Sequence, residues 1–184
     1  MRRRWVFGVS ALLVGVALGF LLYPSHRSHS SGATAPRSRG LVPSPAVPGF
    51  DEVGFQVRGP GVPVPSPRRT RCALLADTEP RRERGLMNRR DLGGYQGMIF
   101  QFPQPGRVPF YMKETLIPLS IAWFDSSGRF VSAAEMMPCP AGEGCPLYYP
   151  AAAASTAIEV QRGRLAALGI GPGTTISVGG PCVS

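Results

Sequence analysis

The chain has 184 residues, 43% of them hydrophobic and only 17% charged, enough for one domain of ordinary size and too few for two comfortable ones. Its 23 glycines and 20 prolines argue against a helical bundle and for short strands, turns and a linker. The net charge of +9 excludes a nucleic-acid partner once it is placed along the chain: residues 1–49 hold six arginines and no acid, while residues 50–184 set 14 basic residues against 11 acids, and a nucleic-acid domain concentrates its excess on the folded part.

Arg2, Arg3 and Arg4 precede an uncharged run over 5–23. As a helix at ~1.5 Å per residue that run spans about 28 Å, close to the ~30 Å of a bilayer's hydrocarbon core. The flanking charge orients the N-terminus inward and exports the rest of the chain. Residues 1–23 therefore read as a single-pass anchor, with the membrane as one partner and the domain on the extracytoplasmic side. A cleaved signal peptide, which would leave a secreted domain, is the competing reading. Its apolar region is normally about 7–15 residues and closes on a small-x-small site; the nearest such triplet here is Ala33-Thr34-Ala35, well downstream. Residues 24–49 are rich in Ser, Pro, Ala and Arg without apolar periodicity and are expected to form a disordered stalk.

The domain is expected over 50–184. Alternation at 53–57 suits a half-buried strand, and a Pro-rich patch follows over 59–67. A strand is predicted at 72–76. A helix follows from Thr78 as N-cap, with Glu79 and Pro80 in its first turn, to about Met87. Further strands are predicted at 97–102, 108–112 and 117–124. Asp125-Ser126-Ser127-Gly128 turns the last of these into a strand over 129–136. A strand at 157–160, a short helix at 164–168 stopped by Gly169, and a strand at 174–178 complete the series. Seven or eight short strands with little helix indicate a mainly β fold, a sandwich or a small barrel.

Four cysteines in an exported chain form an even set in an oxidising compartment. Cys139 and Cys145 bracket a turn-rich loop, and Cys72 with Cys182 would staple the ends of the domain. Chain entropy values the first bridge at about 2–2.5 kcal/mol and the second at about 5. No metal is expected, because Cys-x5-Cys is not a knuckle spacing and both histidines, His26 and His29, precede the domain. Their position also removes a Ser-His-Asp triad and a Cys-His dyad. No phosphate or dinucleotide loop occurs, so no cofactor is expected.

Three stretches carry a resemblance: 76–78 with 82–89 (Ala-Asp-Thr, then Arg-Glu-Arg-Gly-Leu-Met-Asn-Arg), 97–102, and 110–119 beginning Phe110-Tyr111-Met112-Lys113-Glu114-Thr115. With the Pro-Cys and Cys-Pro pairs around 139–146 and the closing Leu168-Gly169-Ile170-Gly171-Pro172-Gly173, this ordered series resembles the domain of unknown function 192 family (uncharacterised protein family 0127) across 72–178. The resemblance implies a small mainly β domain, often exported or membrane-anchored, with no established activity. The family's usual motif is Phe-Trp-Met-Lys-Asn-Thr; Tyr111 and Glu114 stand here for its Trp and Asn.

Lys113 is the one lysine in a chain that otherwise uses arginine, which suggests a site needing a compact charge; a pairing with Glu114 or a neighbouring acid is the simpler alternative. Arg82 and Arg89 lie seven apart and share a face if the helix persists, so with Lys113 they would form an anion pocket, or else a solvated face. Met87, Met98 and Met112 read as core. Asp125 and Glu135 form a conceivable carboxylate pair, although Asp125 is explained as a turn residue. The ligand-binding candidates are thus Arg82, Arg89, Lys113, Glu114 and Thr115. The expected function is non-enzymatic: a membrane-tethered extracytoplasmic domain that binds a small anionic ligand or an envelope protein. The alternative is an envelope hydrolase or transferase with Lys113 and Glu114 as base and acid.

Overall fold

Period-two alternation and two-sided burial build seven strands: β1 (Asp51–Arg58), β2 (Arg71–Ala76), β3 (Gly97–Gly106), β4 (Leu119–Phe124), β5 (Phe130–Met136), β6 (Ala154–Gln161) and β7 (Thr175–Val178). The computed structural model describes residues 47–60, 62, 71–139 and 144–182. The expected anchor at 1–23 and most of the stalk lie outside the described residues. Among the described residues no helix is long and apolar enough to cross a membrane. Packed structure is already present at Val47, which joins Phe50 in the core.

All seven strands belong to one sheet, in the order β5-β4-β6-β3-β2-β1-β7. This single curled sheet replaces the sandwich, which needs two. Every neighbouring pair is antiparallel except β2–β3, and that parallel step carries the α-helix, α1 (Glu79–Arg84), in its connection. The two edges approach each other. Phe130 N–H donates to Thr174 O at 2.9 Å and Ile176 N–H to Gly128 O at 2.8 Å, with an antiparallel bridge between Arg129 and Thr175. The sheet is therefore a half-barrel whose hairpin turn touches its far edge.

Both faces are apolar. Val53, Phe55, Ile99, Phe124, Ile158 and Ile176 pack on the face enclosed by the curl. Leu74, Met98, Phe100, Ile121, Trp123 and Ala157 pack on the other, beneath Leu86, Phe110 and Met112. A strand buried on both faces reads as a continuous apolar run, and all six residues of β4 are buried.

Three expected elements change. α1 stops at Arg84 rather than Met87, because Gly85 leaves the helical region and its N–H closes on Arg81 O. Residues 108–112 do not form a strand; only Phe110 pairs there, with Tyr148, since Pro109 has no N–H to donate. The helix expected at 164–168 is a single 3₁₀ turn, Ala166–Leu168, ended as expected by Gly169 in the left-handed region.

Gly128 is where the half-barrel meets itself. Its φ is +75°, and a Cβ there would stand 2.3 Å from the Ile176 carbonyl oxygen. Gly128→Ala should therefore part the hairpin turn from β7 and cost about 2–4 kcal/mol. Urea unfolding of both proteins measures this; an unchanged midpoint would show that the contact between the edges contributes nothing.

Candidate functional site

The outer face of the sheet is covered by α1 and by the segments around it, and the cover is incomplete. A cleft of about 550 Å³ remains between the α1 end, with Gly85, Leu86 and Met87, and the loop of Val108, Pro109, Phe110 and Tyr111. Phe100 and Phe102 of β3, Thr115 and Glu159 of β6 complete the lining, and α1 contributes Glu79, Arg82, Glu83 and Arg84. Phe110 meets Phe100 edge-on at 5.0 Å and Phe102 at 6.1 Å, and it stands 6.0 Å from Trp123 behind. Such a wall of interlocked rings is rigid.

Two loops hold the walls together. Asn88 N–H donates to Glu114 O at 2.8 Å, and the Asn88 side-chain amide donates to the Glu114 carboxylate at 3.3 Å. Both residues have positive φ, 59° and 55°, a conformation that only glycine and, less readily, asparagine adopt cheaply. The clasp holds Glu114 there against its own preference. Thr115, buried, donates its N–H to Met112 O and its hydroxyl to Lys113 O, so its polar atoms serve the loop.

The arginines at the mouth are engaged. Arg82 donates to Asp77 O at 2.5 Å and to Gln101 O at 2.9 Å, with its guanidinium 5.5 Å from the Phe102 ring centre. Arg84 donates to Pro48 O at 3.0 Å and covers the Phe50 ring at 4.2 Å. These guanidiniums clamp α1 to its surroundings.

Glu159 is different. It is 5% exposed, pairs in register with Met98 on one side and Ile121 on the other, and lines the cleft. Burial alone pushes its carboxyl up to about 8, with no hydrogen bond or charge offsetting it among the described residues. The group is therefore a protonated acid at neutral pH, held in an apolar floor. A buried acid whose proton is held by desolvation beside a cleft is a mark of functional sites. Among the described residues, no cluster of three or more metal-ligating side chains accompanies it.

Of the five residues expected to bind ligand, Arg82 and Thr115 line the cleft and Glu114 braces its wall. Arg89, whose Nε donates to Asp91 O, and Lys113, which is exposed and bridges to Cys139 through the backbone, are not in the lining. Because α1 ends at Arg84, Arg82 and Arg89 share no helical face. Asp125 serves its turn, accepting from Ser127 and Arg129 N–H, and Glu135 accepts from Ser120 and Arg162. Cys139 and Cys145 are joined by a disulfide, with Cα atoms 5.7 Å apart. Cys72 and Cys182, the second expected pair, are brought side by side; burial, then a hydrogen bond to Cys72, pushes Cys182 up to about 12. Glu159 escaped the sequence reading. Its one signal, an acid inside the apolar run 157–160, has meaning only once both faces of the sheet are known to be covered.

The family model for domain of unknown function 192, described as "Uncharacterized ACR", matches residues 65–178. No curated protein matches the chain. A crystal structure of a protein of unknown function from Novosphingobium aromaticivorans DSM 12444 is 26% identical, with a TM-score of 0.53 over 70% of this chain and 84% of that one. A crystal structure of a proposed transcription regulator from Sinorhizobium meliloti 1021 is 23% identical, with a TM-score of 0.57 over 70% of this chain and 95% of that one. The latter likeness is one of fold alone.

Two measurements follow from the site. A carboxyl that holds its proton to about pH 8 when folded, against an ordinary 4.5, stabilises the fold fully below pH 4.5, and that contribution is lost as pH rises through about 8. Relative to Glu159→Gln, the natural protein should lose on the order of a few kcal/mol over that window; parallel pH profiles of the two proteins would refute a buried neutral acid. At the clasp, Glu114→Asn relieves the left-handed backbone at a position where asparagine is tolerated. It should raise stability by roughly 0.5–1 kcal/mol, read as a higher melting temperature, whereas Glu114→Val should lower it.

Proposed function

The chain belongs to the domain of unknown function 192 family, and from that premise we propose that it is a membrane-tethered extracytoplasmic module that binds a small ligand in the cleft under α1 and carries out no catalysis. The observation that supports this most is Glu159, a buried carboxyl at the floor of an aromatic-walled cleft. A concave apolar site with a few convergent polar groups is the usual form of a small-molecule site. The tether and the location rest on the charge and length of 1–23. An anionic ligand has weaker support, because Arg82 and Arg84 already donate to carbonyls and Lys113 stands outside the cleft. The same placement weakens the hydrolase or transferase alternative, since Glu114 is occupied by Asn88.

A second reading, an envelope protein as partner, is favoured by one observation. Among the described residues, the exposed large apolar side chains Val108, Tyr111, Leu116, Met137, Leu147 and Tyr149 fall in two segments joined by the Phe110–Tyr148 and Lys113–Cys139 bridges. Clustered apolar exposure of this kind marks interaction surfaces.

The full chain, purified from membranes in detergent, should carry a small-molecule adduct in native mass spectra. Val108→Trp, which fills the mouth from an exposed position, should lose the adduct and keep its melting temperature. An adduct unchanged in the variant would place the ligand elsewhere. A reporter active only outside the cytoplasm, fused after residue 49, should give signal, with the protein retained in carbonate-washed membranes; quantitative release would favour cleavage.

A further inference from the structure

The cleft's chemistry is more specific than its shape, and the step that follows rests on the ligand-binding reading above. Three of its five ionisable carboxyl and guanidinium groups are acids, Glu79, Glu83 and Glu159. The two bases, Arg82 and Arg84, each turn one guanidinium nitrogen to backbone carbonyls. Around the floor stand four rings, Phe100, Phe102, Phe110 and Tyr111. Ring faces attract cations, most strongly where water is excluded, and Phe102 already carries such a contact from Arg82. An anion here would meet three carboxyls, and one nitrogen of each arginine is already committed to a carbonyl.

We infer that the cleft receives an organic ammonium ion, paired with the Glu159 carboxylate at its floor and enclosed by the surrounding rings. The groups facing Glu159 are consistent with this. From β3 and β4, Met98 and Ile121 stand in register on either side of it; the other titratable side chains lining the cleft are Glu79, Arg82, Glu83 and Arg84 of α1 and Tyr111 of the opposite loop. An ammonium ion that enters keeps its own protons. The acid's O–H bond breaks, its proton passes to solvent, and the ion pair takes its place: one proton is released per cation bound. Below about pH 8, affinity should therefore rise close to tenfold per pH unit. This coupling separates a cation from a neutral ligand that merely accepts a hydrogen bond from the acid.

The test uses three probes of one shape on the full chain: 2-phenylethylammonium, 2-phenylethanol and 3-phenylpropanoate. Titration calorimetry at pH 6.5 in phosphate and in Tris gives affinity and protons released together. The expected order is ammonium tightest and carboxylate weakest, with about one proton released on ammonium binding only. Glu159→Gln, checked for folding by circular dichroism, should lose at least tenfold in ammonium affinity and all of the proton release. Alcohol binding as tight as the ammonium without proton release, and blocked by Val108→Trp, would overturn the cation and leave the cleft reading standing. Ammonium binding that survives Val108→Trp, or no binding of any probe at millimolar concentration, would overturn the cation as well; the adduct experiment then decides the cleft independently.

Discussion

One sheet with two apolar faces is the constraint on which everything else depends. β4 is buried along its whole length, with Ala122 and Phe124 on one side and Ile121 and Trp123 on the other. The sheet covers its inner face by curling until the Gly128 turn meets β7. Curling cannot cover the outer face as well, so that face is left to α1 and the segments at 85–95 and 108–115. A cover assembled from one short helix and loops fits less closely than strand on strand, and the cleft is the gap that remains. The candidate site is in this sense a product of the architecture.

The arginine content finds its use in the same cover. Arg81 donates to Gly49 O and pairs with Asp51 and Asp77, Arg82 and Arg84 reach three carbonyls between them, those of Asp77, Gln101 and Pro48, and Arg71 donates to Leu168 O at 2.7 Å. A guanidinium offers several donors in a fixed plane and can tie two segments at once, which an ammonium does poorly. Loops that cannot satisfy their own carbonyls through a ladder are satisfied by these forks. Lys113 stands apart because its position, exposed beside Cys139, asks for no such fork.

The sequence made most strands legible because alternation is local: 53–57, 72–76 and 97–102 fall within β1, β2 and β3. The turn at 125–128 was legible for the same reason, since Asp125 and Gly128 carry its chemistry between them. What stayed hidden was non-local. Nothing near Gly128 announces that Ile176 will lie against it, so half-barrel and sandwich could not be told apart. The pairing of Asn88 with Glu114 was equally invisible, being a contact between two loops 26 residues apart. It supplies a conformational reason for the asparagine that the family pattern places at 114: the backbone there is left-handed, and asparagine adopts that region more readily than glutamate.

Glu159 shows how such a fold can hold a costly group in place. A buried carboxyl favours any movement that would bring it to water. β6 cannot move, because it is hydrogen-bonded to β3 on one edge and β4 on the other. Gly97 tightens this further: a Cβ there would stand 2.2 Å from the Glu159 carbonyl oxygen, so the missing side chain lets the two strands close fully at this point. Between fixed backbone and the flanking Met98 and Ile121, the side chain has the cleft as its outlet. A carboxyl fixed in this way needs little reorganisation when a ligand arrives, which is the property that a binding site requires of its central polar group. The stability forgone at Glu159 and the order imposed by Gly97 are two aspects of one local design.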